Sequence, residues 1–125
     1  MDTVDELQNP PRFERYDCSD GCPVEACLEQ ISGKWKGLIV YHLIGETLRF
    51  NELARKVGAI TQRSLTKQLR ELEADGIVHR KVYPVVPPKV EYSLTAKGEE
   101  LRPVIAALGA WGKVFPKPER AAKVG

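Results

Sequence analysis

The sequence predicts a mostly α-helical chain with a small two-stranded β wing, and three observations carry that expectation. First, the short run RFNELARKV (Arg49 to Val57) puts Phe50, Leu53, Ala54 and Val57 on one side of a helix, and only Gly58, Ala59 and Ile60 separate it from TQRSLTKQLRELEAD (Thr61 to Asp75). Second, that longer run places Leu65, Leu69 and Leu72 in one arc of a helical wheel, with Arg63, Lys67 and Arg70 opposite and Gln62 and Thr66 on the flanks. Third, beyond Gly76 the apolar period drops from about 3.6 residues to 2. Helix, tight turn, two-faced helix and hairpin, in that order, describe a winged helix-turn-helix.

Residues 1–20 lack regular periodicity, are acidic and carry Pro10 and Pro11, which predicts a flexible arm. The folded domain is expected over 21–116, with a disordered tail at 117–125. A first helix should begin at Cys22, because Pro23 suits a first helical position where its missing N–H has no partner to lose. Val24, Cys27, Leu28 and Ile31 follow at helical spacing, and Gly33 ends the run. A second helix, about Lys34 to Ile44, is dense enough in apolar side chains to be buried. Gly45 separates it from the helix-turn-helix, in which Thr61 can cap the longer helix and Gly76 stop it. In the hairpin, Val78, Arg80 and Val82 alternate with His79, Lys81 and Tyr83, and Val90, Tyr92 and Leu94 with Lys89, Glu91 and Ser93. PVVPP (Pro84 to Pro88) between them suits only a stiff tip. Thr95 then caps a last helix running to about Phe115, which Pro103 should kink or divide from its first turn. Leu101, Val104, Ile105, Leu108, Trp111 and Phe115 make its apolar stripe wider than a small core needs, marking a homodimer interface with Trp111 as anchor. The plainer alternative is that Trp111 is ordinary core.

The net charge of +2 hides a division along the chain. Residues 1–29 hold eight acids and two bases, whereas residues 30–70 hold two acids and eight bases. An acidic start followed by a basic block points to a polyanion partner for the block. No apolar run approaches the roughly 18 residues of a membrane span, and the acidic start is unlike a secretory signal, so a cytoplasmic protein with no membrane association is expected.

Double-stranded DNA fits the constellation. Gln62 and Arg63, at the start of the two-faced helix, are placed to read base edges, since Arg pairs bidentately with guanine and Gln with adenine. Ser64 and Thr66 lie beside them, Lys67 and Arg70 should meet phosphate, and Arg80, Lys81 and Lys89 of the hairpin should lie along flanking phosphates. Glu71, Glu73 and Asp75, at the far end of the helix, should point away from DNA. A solvated surface helix is the plain alternative, but such helices usually mix their signs.

The three cysteines, Cys18, Cys22 and Cys27, cluster near the N-terminus and are expected reduced. Cys22 sits at a helix start, where dipole and free N–H groups favour thiolate, against the opposing charges of Asp17, Asp20 and Glu25. Cys27 shares a face with Val24, Leu28 and Ile31 and reads as inert packing or as a disulfide partner; Cys18 is exposed and is the other candidate partner. Their spacing lacks the Cys-x2-Cys pair of common zinc sites, and His42 and His79 lie far along the chain, so no metal is expected. No catalytic residues and no cofactor are expected: a thiol redox catalyst would want a CxxC pair, and the chain has no phosphate loop and no Ser/His/Asp set.

CPVEACLEQISGKWKGLIVYHL (Cys22 to Leu43), RFNELARKVGAITQRSLTKQLRELEADGIVHRKVYPVVPPKVEYSLTAKG (Arg49 to Gly98) and Trp111-Gly112 resemble the HxlR family of bacterial transcriptional regulators, relatives of the MarR winged-helix proteins. The resemblance covers about residues 22–115. It implies a homodimer, with the first and last helices at the interface, that binds a palindromic operator as a repressor. By position, Cys22 matches a cysteine through which some members sense oxidants or quinone-like electrophiles. The competing reading is a winged-helix protein-interaction module without specific DNA binding, against which the basic block and the Arg63, Lys67, Arg70 face both speak.

Overall fold

The structure, a computed structural model, describes residues 15–118. What the sequence predicts for positions 1–14 of the arm and 119–125 of the tail lies outside the described residues. Chain contacts divide the protein into two compact units with the boundary after Ile31.

In the first unit, the last residues of the expected arm form a turn. The Asp17 carboxylate accepts the Ser19 N–H at 3.0 Å, and the Gly21 N–H donates to the Cys18 carbonyl at 3.2 Å. Such local side-chain and backbone bonds are what Asp and Gly supply in turns. Helix α1 follows, Pro23–Ile31, and the Ala26 N–H reaches back to the Cys22 carbonyl at 2.9 Å, leaving Cys22 as its cap.

The second unit runs α2 (Lys36–Leu43), β1 (Leu48–Arg49), α3 (Phe50–Val57), α4 (Gln62–Ala74), β2 (Val78–Tyr83), β3 (Lys89–Leu94), α5 (Ala96–Glu99) and α6 (Arg102–Val114). Helix α2 starts two residues later than the apolar pattern suggests, with Trp35 as its cap. One side of it is buried through Ile39, Val40 and Leu43, while Leu38 and Tyr41 stay exposed. Helix α4 buries Leu65, Leu69 and Leu72, which with Leu53 of α3 and the Ile77-Val78 step belong to a core where each is at most 2% exposed. Burial of each such side chain is worth about 1.5–3 kcal/mol, and it pins α4 by its apolar arc so that the basic arc faces out.

The wing is part of a three-stranded antiparallel sheet, in the order β1-β3-β2, instead of a free two-stranded hairpin. Leu48 and Arg49 add the third strand by pairing with Tyr92 and Glu91. Two residues are too few to show alternation. Arg49, which the apolar pattern places in the short helix, is therefore a strand residue whose N–H is capped by the Glu52 carboxylate at 2.8 Å.

The C-terminal end of α4 is closed by a Schellman turn. Gly76, at φ 76°, donates to the Glu73 carbonyl at 3.0 Å, and Ile77 donates to the Leu72 carbonyl at 2.9 Å. Lys97 of α5 adds its ammonium to the Asp75 carbonyl at 2.7 Å, a cation placed where the helix dipole favours one. Thr95 caps α5 by accepting the Gly98 N–H at 3.0 Å and donates its own hydroxyl proton to the Gly76 carbonyl. Pro103 divides α5 from α6, taking the second position of the latter where no N–H is required.

Candidate nucleic-acid interface

Thr61 fixes where α4 begins, its hydroxyl accepting the Ser64 N–H at 3.0 Å. From that start Gln62, Arg63, Lys67 and Arg70 emerge exposed, while Ser64 and Thr66 are half-buried. The Thr66 hydroxyl donates to the Gln62 carbonyl at 2.9 Å, so its proton is held within the helix and only its acceptor side is free. Gln62, Arg63, Thr66, Lys67 and Arg70 line one shallow concave surface. Glu71 lines it too, so it does not point away as its place late in the helix suggests. Its carboxylate pairs with Lys36 Nζ at 2.6 Å; that hydrogen bond and charge hold its pKa below the usual carboxylate range.

The sheet register separates the wing cations. Arg80 stands opposite Tyr92, whereas Lys81 stands opposite Glu91 and Tyr83 opposite Lys89. Directly opposed residues share a face and neighbours alternate, so Arg80 lies on one face and Lys81, Tyr83, Lys89 and Glu91 on the other. Arg80 thus joins Arg70, Thr66, Leu69, Glu73 and Tyr92 around a cleft of about 220 Å³ between α4 and the sheet. On the other face the Tyr83 ring lies between two ammonium groups, Lys81 at 4.9 Å and Lys89 at 4.7 Å from its centroid. Its hydroxyl donates to Glu91 at 2.8 Å, and that bond, aided by Lys89 at 3.5 Å, depresses the Glu91 pKa. The expected row of three wing cations is therefore two groups facing different ways.

On α6, Leu101 and Val104 are half-buried and Ile105, 7% exposed, turns into the core of its own unit. Ile105 is thereby separated from the exposed stripe, which consists of Leu108, Trp111, Val114 and Phe115. The Trp111 and Phe115 rings stack at a tilt, 5.1 Å apart.

Of the cysteines, the structure brings together Cys18 and Cys22. Interaction with the Cys22 side chain holds the Cys18 pKa above that of a free thiol, and interaction with Cys18 holds the Cys22 pKa below it. Backbone N–H groups of Glu25 and Val24, at the head of α1, lower Cys22 further and outweigh the Glu25 charge. The Cys18 thiol donates a long hydrogen bond to the Tyr16 carbonyl, 3.7 Å from its sulfur. His42 is half-buried against Tyr41; burial and the Lys56 charge lower its pKa.

Sequence reasoning passed over Lys36, Lys97 and Arg49. Only Arg49 had a local signal, Glu52 three residues on, in the spacing at which a carboxylate caps a backbone N–H.

Residues 30–120 match the HxlR-like helix-turn-helix family. The chain is 58% identical over 98 residues to the HTH-type transcriptional regulator YybR of Bacillus subtilis (strain 168), covering 78% of each protein. Among solved structures, the redox regulator HypR in its oxidized form superposes with a TM-score of 0.72 at 57% identity, over 77% of this chain and 99% of that one. The reduced form of the transcriptional regulator YodB from B. subtilis superposes with a TM-score of 0.67 at 38% identity, over 78% and 97% respectively.

Proposed function

The chain belongs to the HxlR-like helix-turn-helix family, and from that premise we propose that it is a DNA-binding repressor that occupies a palindromic operator as a homodimer. The observation that carries this reading is the base of α4. Gln62 and Arg63 are presented to solvent from a capped, buried-backed helix, with Lys67 and Arg70 behind them. Such a helix enters the major groove N-terminus first, reading bases with its first turn and gripping phosphates with its second. The exposed stripe Leu108, Trp111, Val114 and Phe115 supports pairing of two copies through α6, with the first helix contributing as in the family the sequence resembles. A two-fold axis then sets two α4 helices about 34 Å apart, one turn of duplex. The protein acts in the cytoplasm, on the nucleoid when bound.

Cys22 is the sensing residue in this reading, with Cys18 or Cys27 as its partner; Cys18 is favoured because its side chain is the one that influences Cys22 most. The effector is an oxidant or a quinone-like electrophile that reacts with the Cys22 thiolate and releases DNA. Relatives described as redox regulators support that assignment. Selection of genomic fragments bound by reduced and then by oxidised protein tests both parts. The reading predicts a palindromic fragment recovered only with reduced protein; fragments without a common sequence would favour a protein-docking module instead.

A further inference from the structure

The sheet face that carries Lys81 and Lys89 continues onto the third strand, since Arg49 stands opposite Glu91 and therefore on the same side. There it meets the outer side of α3. Arg49 of β1, Asn51 and Arg55 of α3, and Pro88 and Lys89 at the start of β3 line an open groove of about 510 Å³. Asn51 and Arg55 are four residues apart and so project from one helix face. The two carboxylates nearby already have partners. Glu52 accepts the Arg49 N–H at 2.8 Å, and Glu91 accepts the Tyr83 hydroxyl at 2.8 Å and pairs with Lys89 at 3.5 Å. The guanidinium groups of Arg49 and Arg55 make no ion pair or hydrogen bond with any of the described residues. The Arg49 charge acts on Glu91 only from beyond ion-pair distance.

We propose that this groove is a second DNA-binding site, one that holds a backbone phosphate beside the segment read by α4. Two unpaired guanidinium groups with an amide between them offer a phosphate oxygen planar, bidentate donors, which an ammonium cannot. Guanidinium contacts to phosphate contribute affinity and register without choice of sequence. The two residues of pairing fasten Arg49, and α3 directly after it, to the wing. The inference rests on the DNA-binding reading, and it adds a phosphate-binding position that no local pattern of residues foretells.

The test is a salt titration of binding to a random-sequence duplex, with wild-type protein, the double variant Arg49→Gln, Arg55→Gln and the charge-keeping variant Arg49→Lys, Arg55→Lys. The double Gln variant should bind roughly tenfold more weakly at low salt, with a log-log salt slope shallower by about 0.9 for each phosphate it no longer neutralises. The Lys variant should keep most of the slope. An equal fold-loss on a fragment recovered by genomic selection, together with unchanged thermal midpoints, completes the expected result. An unchanged slope, or a loss confined to the selected fragment, overturns the groove as a phosphate site. If wild-type protein binds no duplex at all, the DNA-binding reading itself fails, a different outcome from a groove that merely does not contribute.

Discussion

Lys36 Nζ lies 2.6 Å from Glu71 Oε1, and this ion pair ties α2 to α4 while neutralising a carboxylate on the basic surface of α4. Lys36 is the more sheltered partner, its side chain 13% exposed against 43% for Glu71. Replacing Lys36 by Met should leave Glu71 charged and unpaired next to Lys67, weakening DNA binding a few-fold on any sequence, and adding Glu71→Gln should restore it. The pair also sets a pH dependence. Because Lys36 holds the Glu71 pKa below its ordinary value, the ion pair contributes stability above the ordinary carboxylate range, and that stability fades as pH falls through the depressed value. Lys36→Met should flatten the acid side of the stability curve; an unchanged acid limb and unchanged DNA affinity would dismiss the role.

Gly98 sits where a side chain has no room. An added Cβ would strike the Ile77 carbonyl and stand 3.1 Å from Leu94 Cβ, and that carbonyl is fixed by the Thr95 N–H at 3.0 Å. Gly98→Ala should therefore cost about 1–3 kcal/mol or more, since backbone cannot move aside as a side chain can. Thr61→Ala, which removes the cap of α4, should cost about 1 kcal/mol. Thermal melts that rank the two the other way would show that the Thr95 to Gly98 turn yields more easily than its close packing implies.

The Cys18 side chain and the α1 N–H groups lower the Cys22 pKa, so more of it is thiolate at neutral pH than of a free cysteine. Iodoacetamide should alkylate Cys22 ahead of Cys18, with a pH profile displaced to lower pH. Cys18→Ala removes the leading cause and should move the Cys22 profile back up. Superimposable profiles for the two thiols, read by mass spectrometry, would remove the basis for sensing at Cys22, as would full release of DNA by diamide from a Cys22→Ser protein.

Trp111 and Phe115 leave an aromatic pair in solvent at the end of α6. Trp111→Asp should convert the proposed dimer to monomer in sedimentation at micromolar concentration, with the thermal midpoint of the monomer unit little changed because the ring is 66% exposed there. A wild-type protein already monomeric under those conditions contradicts the dimer.

Helix α4 could be read from residues alone because each of its signals is local: the Thr61 cap, three leucines at helical spacing, and Gly76 in the left-handed region at its end. The division at Pro103 was legible for the same reason. Strand β1 was not, since two residues carry no period and their partners, Tyr92 and Glu91, lie more than forty positions away. Long-range partners also hid Lys36 and Lys97, whose charges looked like ordinary surface until Glu71 and the Asp75 carbonyl were placed beside them. The separation of Arg80 from Lys81 is a different case. Strict alternation along β2 already puts them on opposite faces, and grouping both against flanking phosphates overlooked it.

Base reading by α4 is the central claim, and one measurement bears on it most directly: binding of wild-type, Arg63→Ala and Lys67→Ala proteins to a selected operator and to a random duplex across salt concentrations. Wild-type protein should prefer the operator by about 10³-fold or more. Arg63→Ala should lose about 1–3 kcal/mol on the operator and relax its preference at one base position, while Lys67→Ala should weaken both duplexes alike and make the salt slope shallower by about one. Equal losses from both substitutions on both duplexes, or binding that does not change with salt, would contradict it.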